Sequence, residues 1–172
     1  MNIIINKRDG TKEELDLEKM HKVVFYACED ITGVSASEVE IKSHLQFYDG
    51  IESADIQETL IKAAADLISE ETPNYQWVAG RLINYHLRKQ VYDNFEPPHI
   101  REIARKNVDR GLYDPEFFSI YSDDEIDQME EFIKHERDED MTYAAMEQFR
   151  GKYLVQNRAT GEIFETPQVC YM

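Results

Sequence analysis

Cysteine is scarce in this chain: Cys28 and Cys170 are the only two among 172 residues. Two cysteines build no disulfide framework, and neither has a Cys-x-x-Cys or Cys/His spacing suited to a metal. A reducing, cytoplasmic setting fits that usage. The histidines are His21, His44, His86, His99 and His135, and no two stand at ligand spacing. Surface or core roles are expected for all of them, with no metal site. No Ser/His/Asp arrangement stands out as a catalytic constellation either. No apolar run approaches the roughly 18 residues that cross a bilayer, and the N-terminus has no signal-peptide pattern. Positive charge is also short, with 19 Lys+Arg against 35 Asp+Glu and a net charge of −16. Duplex binding rests on basic residues neutralising phosphates, so neither nucleic acid nor a membrane is an expected partner. What is present suffices for a packed core, at 42% hydrophobic and 11% aromatic residues. The length allows one full domain, or a small domain plus part of another.

The charge is uneven. Residues 121–140 hold ten acids against Lys134 and Arg137, a net −8 and half of the total excess. That stretch reads as a solvated helix face with its flanking loop, and it is also a surface that a basic partner would meet. In residues 1–22 the signs balance: Lys7, Arg8, Lys12, Lys19 and Lys22 stand against Asp9, Glu13, Glu14, Asp16 and Glu18.

The N-terminal stretch reads as a hairpin running into a helix. Asn2 to Ile5 is a β-branched run, Asp9-Gly10 signals a two-residue turn, and a return segment ends near Leu15. Asp16 is an N-cap, and Leu17, Met20, Val24 and Cys28 follow at helical spacing with Val23 and Ala27 beside them. Lys7 and Arg8 lie at the turn and Lys19 in the first helical turn. A helix N-terminus already favours anions, so cations beside it point to a phosphate-bearing ligand. A solvated charged face is the plainer alternative.

Three more helices are predicted before residue 95. Ser35 and Glu38 form a capping box, and the second helix buries Val39, Ile41, Leu45 and Tyr48 before Asp49-Gly50 ends it. Ser53 caps the third, whose apolar positions are Ile56, Leu60, Ala64, Leu67 and Ile68. Thr72 caps the fourth with Pro73 at its first position, and this helix runs to about Tyr92. Gly80 inside it costs about 1 kcal/mol relative to alanine unless close packing requires it. Pro97-Pro98 marks a boundary. Beyond it, helices are expected over Ile100–Asp109, Pro115–Tyr121, from a Ser122/Glu125 capping box through Ile133, and over Met141–Phe149. A hairpin over Tyr153–Phe164 and the start of a helix at Thr166-Pro167 follow.

Lys7-Arg8-Asp9-Gly10 followed by Leu17-Glu18-Lys19-Met20 resembles the start of an ATP-cone, the regulatory nucleotide-binding module of ribonucleotide reductases. The resemblance continues through 44–51, 61–69 and His86-Leu87-Arg88-Lys89. Lys152 to Arg158, with Thr160 to Ile163, is similar to the segment leading into the catalytic domain of class Ia large subunits. The implied fold is mainly α with a small β component: a β-hairpin over a four-helix bundle in residues 1–95, then a partial helical region with a hairpin in 96–172. The abrupt end marks a piece of a larger subunit, cut by design or in nature.

The resemblance implies ATP or dATP as an allosteric effector, with Mg2+ accompanying the nucleotide. By motif position the contacts are Lys7, the run Glu13, Glu14, Leu15, Asp16, Leu17, Glu18 and Lys19, then Ser53, Gln57 and Lys89, with Arg8 a weaker candidate. Lys7, Lys19 and Lys89 would neutralise phosphates, Leu15 and Leu17 would sandwich the adenine, and Glu13 or nearby backbone would meet its edge. Ser53 as an ordinary cap and Lys89 as a helix C-terminal cation remain the alternatives. Gln57 stands where dATP-inhibited relatives often carry histidine, which puts inhibition by dATP in doubt. The implied partners are the remainder of the large subunit, a large-subunit dimer and the radical-generating small subunit. Catalytic cysteines lie downstream in the family, so this segment alone is expected to be inactive. A stand-alone nucleotide-sensing regulator and a ligand-free helical adaptor are the competing readings.

Overall fold

The computed structural model describes residues 3–7 and 10–172; the expectations for Asn2, Arg8 and Asp9 lie outside the described residues. The chain is mainly α with a small β component. It divides into two compact units, one of residues 1–86 and 140–146, the other of 87–139 and 147–172.

In the first unit, β1 (Ile4–Asn6) pairs antiparallel with β2 (Lys12–Glu14), matching Ile4 with Glu14 and Asn6 with Lys12. The Lys7 N–H donates to the Thr11 carbonyl at 2.8 Å, and the Gly10 N–H donates to the Lys7 carbonyl at 2.9 Å. Gly10 there takes φ +81°, a conformation open to glycine and strained for most other residues. The other edge of β1 is also used. Asn6 bridges Glu52 in parallel, its N–H donates to the Ile51 carbonyl at 3.0 Å, and the Gly50 N–H donates to the Ile4 carbonyl at 2.8 Å. Ile5, Ile51 and Ile56 form a small core beneath this ribbon, with Ile3, Leu15 and Phe47 packed against it.

Four helices complete the unit's main frame: α1 (Leu17–Cys28), α2 (Ala36–His44), α3 (Ser53–Ala65) and the first part of α4 (Tyr75–Tyr92). The Asp16 carboxylate caps α1, accepting from the Lys19 N–H at 3.0 Å, and Met20, Val23, Val24 and Ala27 are buried. Cys28 is only half-buried, yet burial pushes its thiol up to about 11. Gly80 is required by close approach: a Cβ there would lie 2.1 Å from the Met141 carbonyl oxygen.

Four expectations about this unit need correction. In α2 only Val39 and Ser43 are buried; Ile41 is 67% and Leu45 86% exposed, and Tyr48 is exposed too. Positions 39 and 43 are one turn apart and share the inward face. Ile41 points away from that face, and the helix stops before Leu45 and Tyr48. The Ser35/Glu38 capping box does not form, because buried Tyr75 intervenes: the Ser35 N–H donates to its hydroxyl, which in turn donates to Glu38. Ser53 is the first helical residue of α3, with Glu52 at the cap position. Thr72 likewise does not cap α4. Its hydroxyl donates back to the Leu67 carbonyl at 2.7 Å, and the helix begins at Tyr75.

In the second unit, α5 (Ile100–Asp109) ends at Gly111, which takes φ +70°. After α6 (Phe117–Ile120), Ser122 and Glu125 form the reciprocal capping box that opens α7 (Asp123–Phe132). Ile100, Ile126 and Ile133 make a core with Phe117, Phe118 and Met129 around it. A 3-10 turn over His135–Asp140 precedes α8 (Tyr143–Gln148), which begins in residues 140–146 of the first unit and whose end passes into a π-helical turn over Phe149–Tyr153 of the second. That turn takes up Tyr153, so the expected hairpin shrinks to a single bridge between Gln156 and Ile163. The chain then enters α9 (Pro167–Tyr171).

Candidate functional site

The site grows from the two-sided pairing of β1. Residues opposite each other in an antiparallel ladder share a face, so Glu13 lies on the side of Ile5, its partner, and Lys7 follows two residues on. That face carries the Ile5–Ile51–Ile56 core. Lys7 and Glu13 meet there, Nζ to Oε2 at 2.6 Å, with both side chains a little over a third exposed. Because β1 runs parallel to residues 50–52, the register that pairs Asn6 with Glu52 brings Lys7 alongside Ser53.

Ser53 opens α3, where the Ile56 N–H makes the first helical bond back to Glu52. The N–H groups before it are the open donors of a helix start, which favour anions. Gln57 lies one turn further along α3. It is half-buried, and its Oε1 accepts no hydrogen bond within the protein. The Lys7–Glu13 pair thus lies at the end of the ribbon that the Asn6–Glu52 bridge joins to the start of α3, and Gln57 lies a turn further along that helix. Such a set can hold an anionic group and accept from a hydroxyl.

The remaining predicted residues separate. Leu15 packs into the ribbon's core and Asp16 caps α1, so both fix the junction between β2 and α1. Glu14 and Lys19 are exposed. Leu17 and Glu18 line a groove of about 650 Å³ between α1 and α2, along with Met20, His21, Ile41 and His44. His21 and Glu40 meet in it at 2.7 Å. Lys89 stands in the last turn of α4, within the second unit. Arg8 lies outside the described residues. Sequence reasoning missed Asn6 and Asp49. The Asn6 amide donates to the Gly50 carbonyl and the Glu52 carboxylate, each at 2.9 Å, and Asp49 accepts from the Ile4 N–H at 2.8 Å. These bonds hold the ribbon against the start of α3. Nothing in the local pattern signalled them, because each joins residues more than forty positions apart.

Among the described residues there is no group of three metal-ligating side chains, and no helix is long and apolar enough to cross a membrane. The family model of the ATP cone domain matches residues 3–90, half of the chain, and that stretch includes the ribbon, the open end of α3 and Lys89. The chain belongs to the ATP-cone family. In this ATP-cone protein similarity also extends past the matched segment. It is 50% identical over 171 residues to the ribonucleoside-diphosphate reductase 1 subunit alpha of Escherichia coli, covering 99% of this chain and 22% of that protein. The reductase subunit alpha of Haemophilus influenzae is 48% identical over the same length, and that of Helicobacter pylori 34% over 170 residues. The ATP-cone chain therefore spans about a fifth of the length of these relatives.

Proposed function

We propose that this chain is the activity-regulating region of a ribonucleoside-diphosphate reductase large subunit, with residues 1–95 as the module that binds ATP or dATP. The observation that carries the reading is the zipped ribbon, which sets the Lys7–Glu13 pair beside the open N-terminus of α3. Lys7 meets the triphosphate together with Lys19, each through charge-assisted bonds of about 1.5–3 kcal/mol. Mg2+ accompanies the phosphates. Glu13, parted from Lys7 by the ligand, or backbone nearby, takes the adenine edge. Leu17, exposed at the start of α1, flanks the base, and Ser53 contributes its hydroxyl and the N–H groups of its helix end.

The parent enzyme reduces ribonucleoside diphosphates to deoxyribonucleotides in the cytoplasm, and this region biases its states. Its partners are the rest of the large subunit, a second large subunit and the radical-generating small subunit. Catalysis belongs to other parts of the parent, since Cys28 and Cys170 match none of the family's catalytic cysteine positions. An effector shifts an equilibrium only by its difference in affinity for the two states. Gln57 sits where that difference is set, so both nucleotides bind while inhibition by dATP is weak. Titration calorimetry with ATP and with dATP tests the reading. Heat with both, lost on Lys7→Ala combined with Lys19→Ala, supports it; no heat with either at low ionic strength overturns it. Strong loss of holoenzyme turnover at high dATP would overturn the Gln57 part alone.

A further inference from the structure

Residues 163–169, all within the second unit, form an unbroken buried run with three polar side chains, Glu165, Thr166 and Gln168. Side chains of the same unit hold it. The Asn107 amide donates to the Phe164 carbonyl at 3.1 Å, and Glu165 accepts from the Val155 N–H at 2.9 Å and from the Tyr113 hydroxyl. Thr166 shares a hydrogen bond with the Tyr92 hydroxyl at 3.0 Å. The run ends in the short α9, where Thr166 stands at the N-cap without a side-chain cap bond. Asp138 grips the start of that helix instead, its Oδ1 accepting from the Gln168 amide at 2.9 Å.

This clasp is sensitive to charge. Asp138 comes from the 3-10 turn and is fully buried, and its Oδ2 has no hydrogen-bond partner among the described residues. Arg88 and Tyr92 face it from α4, Glu139 from its own turn, and α9 offers the neutral Gln168 amide. Arg88 is the one cation of this set. It donates to the His135 carbonyl at 2.6 Å and stacks on Phe95, its guanidinium carbon 4.8 Å from the ring centre, and makes no ion pair with Asp138. An ionised Asp138 is therefore a buried charge with one oxygen unsatisfied, which is costly. A protonated Asp138 is neutral and keeps the oxygen that accepts from Gln168. Burial accordingly pushes this carboxyl up to about 6.

The cost can be relieved locally. The core of Ile100, Ile126 and Ile133, with Phe117, Phe118 and Met129 around it, is built from other segments. Five-residue α9 ends in Tyr171, which is exposed. Lifting α9 and its approach breaks the bond to Gln168 and lets water reach Asp138 while that core stays packed, and short elements with few buried contacts open at much lower free energy than the whole unit. We propose that the Asp138–Gln168 bond is a proton-operated latch on α9, closed while Asp138 is protonated and loosened when it ionises.

Hydrogen exchange on the full 172-residue chain from pH 5 to 8, corrected for intrinsic exchange rates, tests the latch. A peptide covering 163–172 reports α9, and one covering α5 reports the rest of the unit. His135, on the same turn, titrates with the opposite sign: burial and the Arg88 charge hold its ring below the usual range, so its loss of a proton favours the closed form. The measured quantity is therefore the ratio of opening in the unmodified chain to opening in Asp138→Asn, which leaves His135 in place. The closed form holds the Asp138 proton more tightly than the open one, whose carboxyl has its ordinary value of about 3.9. The ratio at 163–172 should then rise about tenfold between pH 5 and 8 and stay flat at α5. If Asp138→Asn does not fold, the unmodified chain alone decides, since a rise at 163–172 with none at α5 runs against the His135 effect. A flat ratio at 163–172 overturns the latch. So does an equal rise at α5, which would mean that the charge loosens the whole unit.

Discussion

Replacing Asp138 by asparagine should stabilise this protein at neutral pH. The Asp138 side chain is fully buried; one oxygen accepts from Gln168 and the other has no partner. Burial pushes its carboxyl up to about 6, against the pull of the Gln168 bond and the Arg88 charge. The ordinary value is about 3.9, so the shift corresponds to about 3 kcal/mol. The sign follows from which state holds the proton more tightly. The folded protein does, so the stability that Asp138 contributes is fullest below pH 4, falls as pH rises through 6, and levels off above. An asparagine keeps the oxygen that accepts from Gln168 and never ionises. Asp138→Asn should therefore match the unmodified chain near pH 4 and exceed it by up to about 3 kcal/mol above pH 7. Urea unfolding of both chains from pH 4 to 8 measures the difference, which cancels the other carboxylates common to the two. A variant less stable at pH 7.5, or a difference that does not change with pH, would refute the reasoning.

Other substitutions probe separate parts of the molecule. Gly80→Ala should cost about 1–3 kcal/mol by thermal unfolding, because the methyl group meets the Met141 carbonyl at 2.1 Å and overpacking outweighs the gain in helix propensity. Ser122→Ala removes a capping box whose two bonds are both formed, and should lower stability by about 1 kcal/mol in denaturant titration. Lys7→Ala should weaken ATP binding by about tenfold to a hundredfold in calorimetry while leaving the helical circular dichroism unchanged, since Lys7 is partly exposed and lies outside the helices.

Elements governed by neighbours in sequence could be read before the fold was known. The limits of α5 follow from its apolar spacing and from Gly111, and the Ser122 cap needs only Glu125 three residues on. The α1 cap at Asp16 is equally local. Where a distant side chain competes, the local reading failed. Tyr75 took over the groups that Ser35 and Glu38 would have shared, and pairing of β1 with residues 50–52 moved the cap of α3 from Ser53 to Glu52. The apolar character of Ile41, Leu45 and Tyr48 suggested burial, but α2 offers the core only the face of Val39 and Ser43. For the candidate site, the cations near the turn were visible in the sequence. That Lys7 and Glu13 form a pair on the inward side of the ribbon was not, since Ile3, Ile4 and Ile5 are all apolar and leave the strand's facing undecided.

By itself, then, the sequence determined the class of fold, the starts and stops that depend on a few adjacent residues, and the concentration of cations near the first helix. These are short-range matters of backbone preference, capping and periodicity. Only the tertiary structure decided what Asn6, Ser53 and Gln57 stand beside, why Gly80 must lack a side chain, and that Asp138 is buried with half of its carboxylate unpaired. Each of those depends on which distant segment packs against the residue, and that outcome is fixed by burial and hydrogen bonding summed over the whole unit.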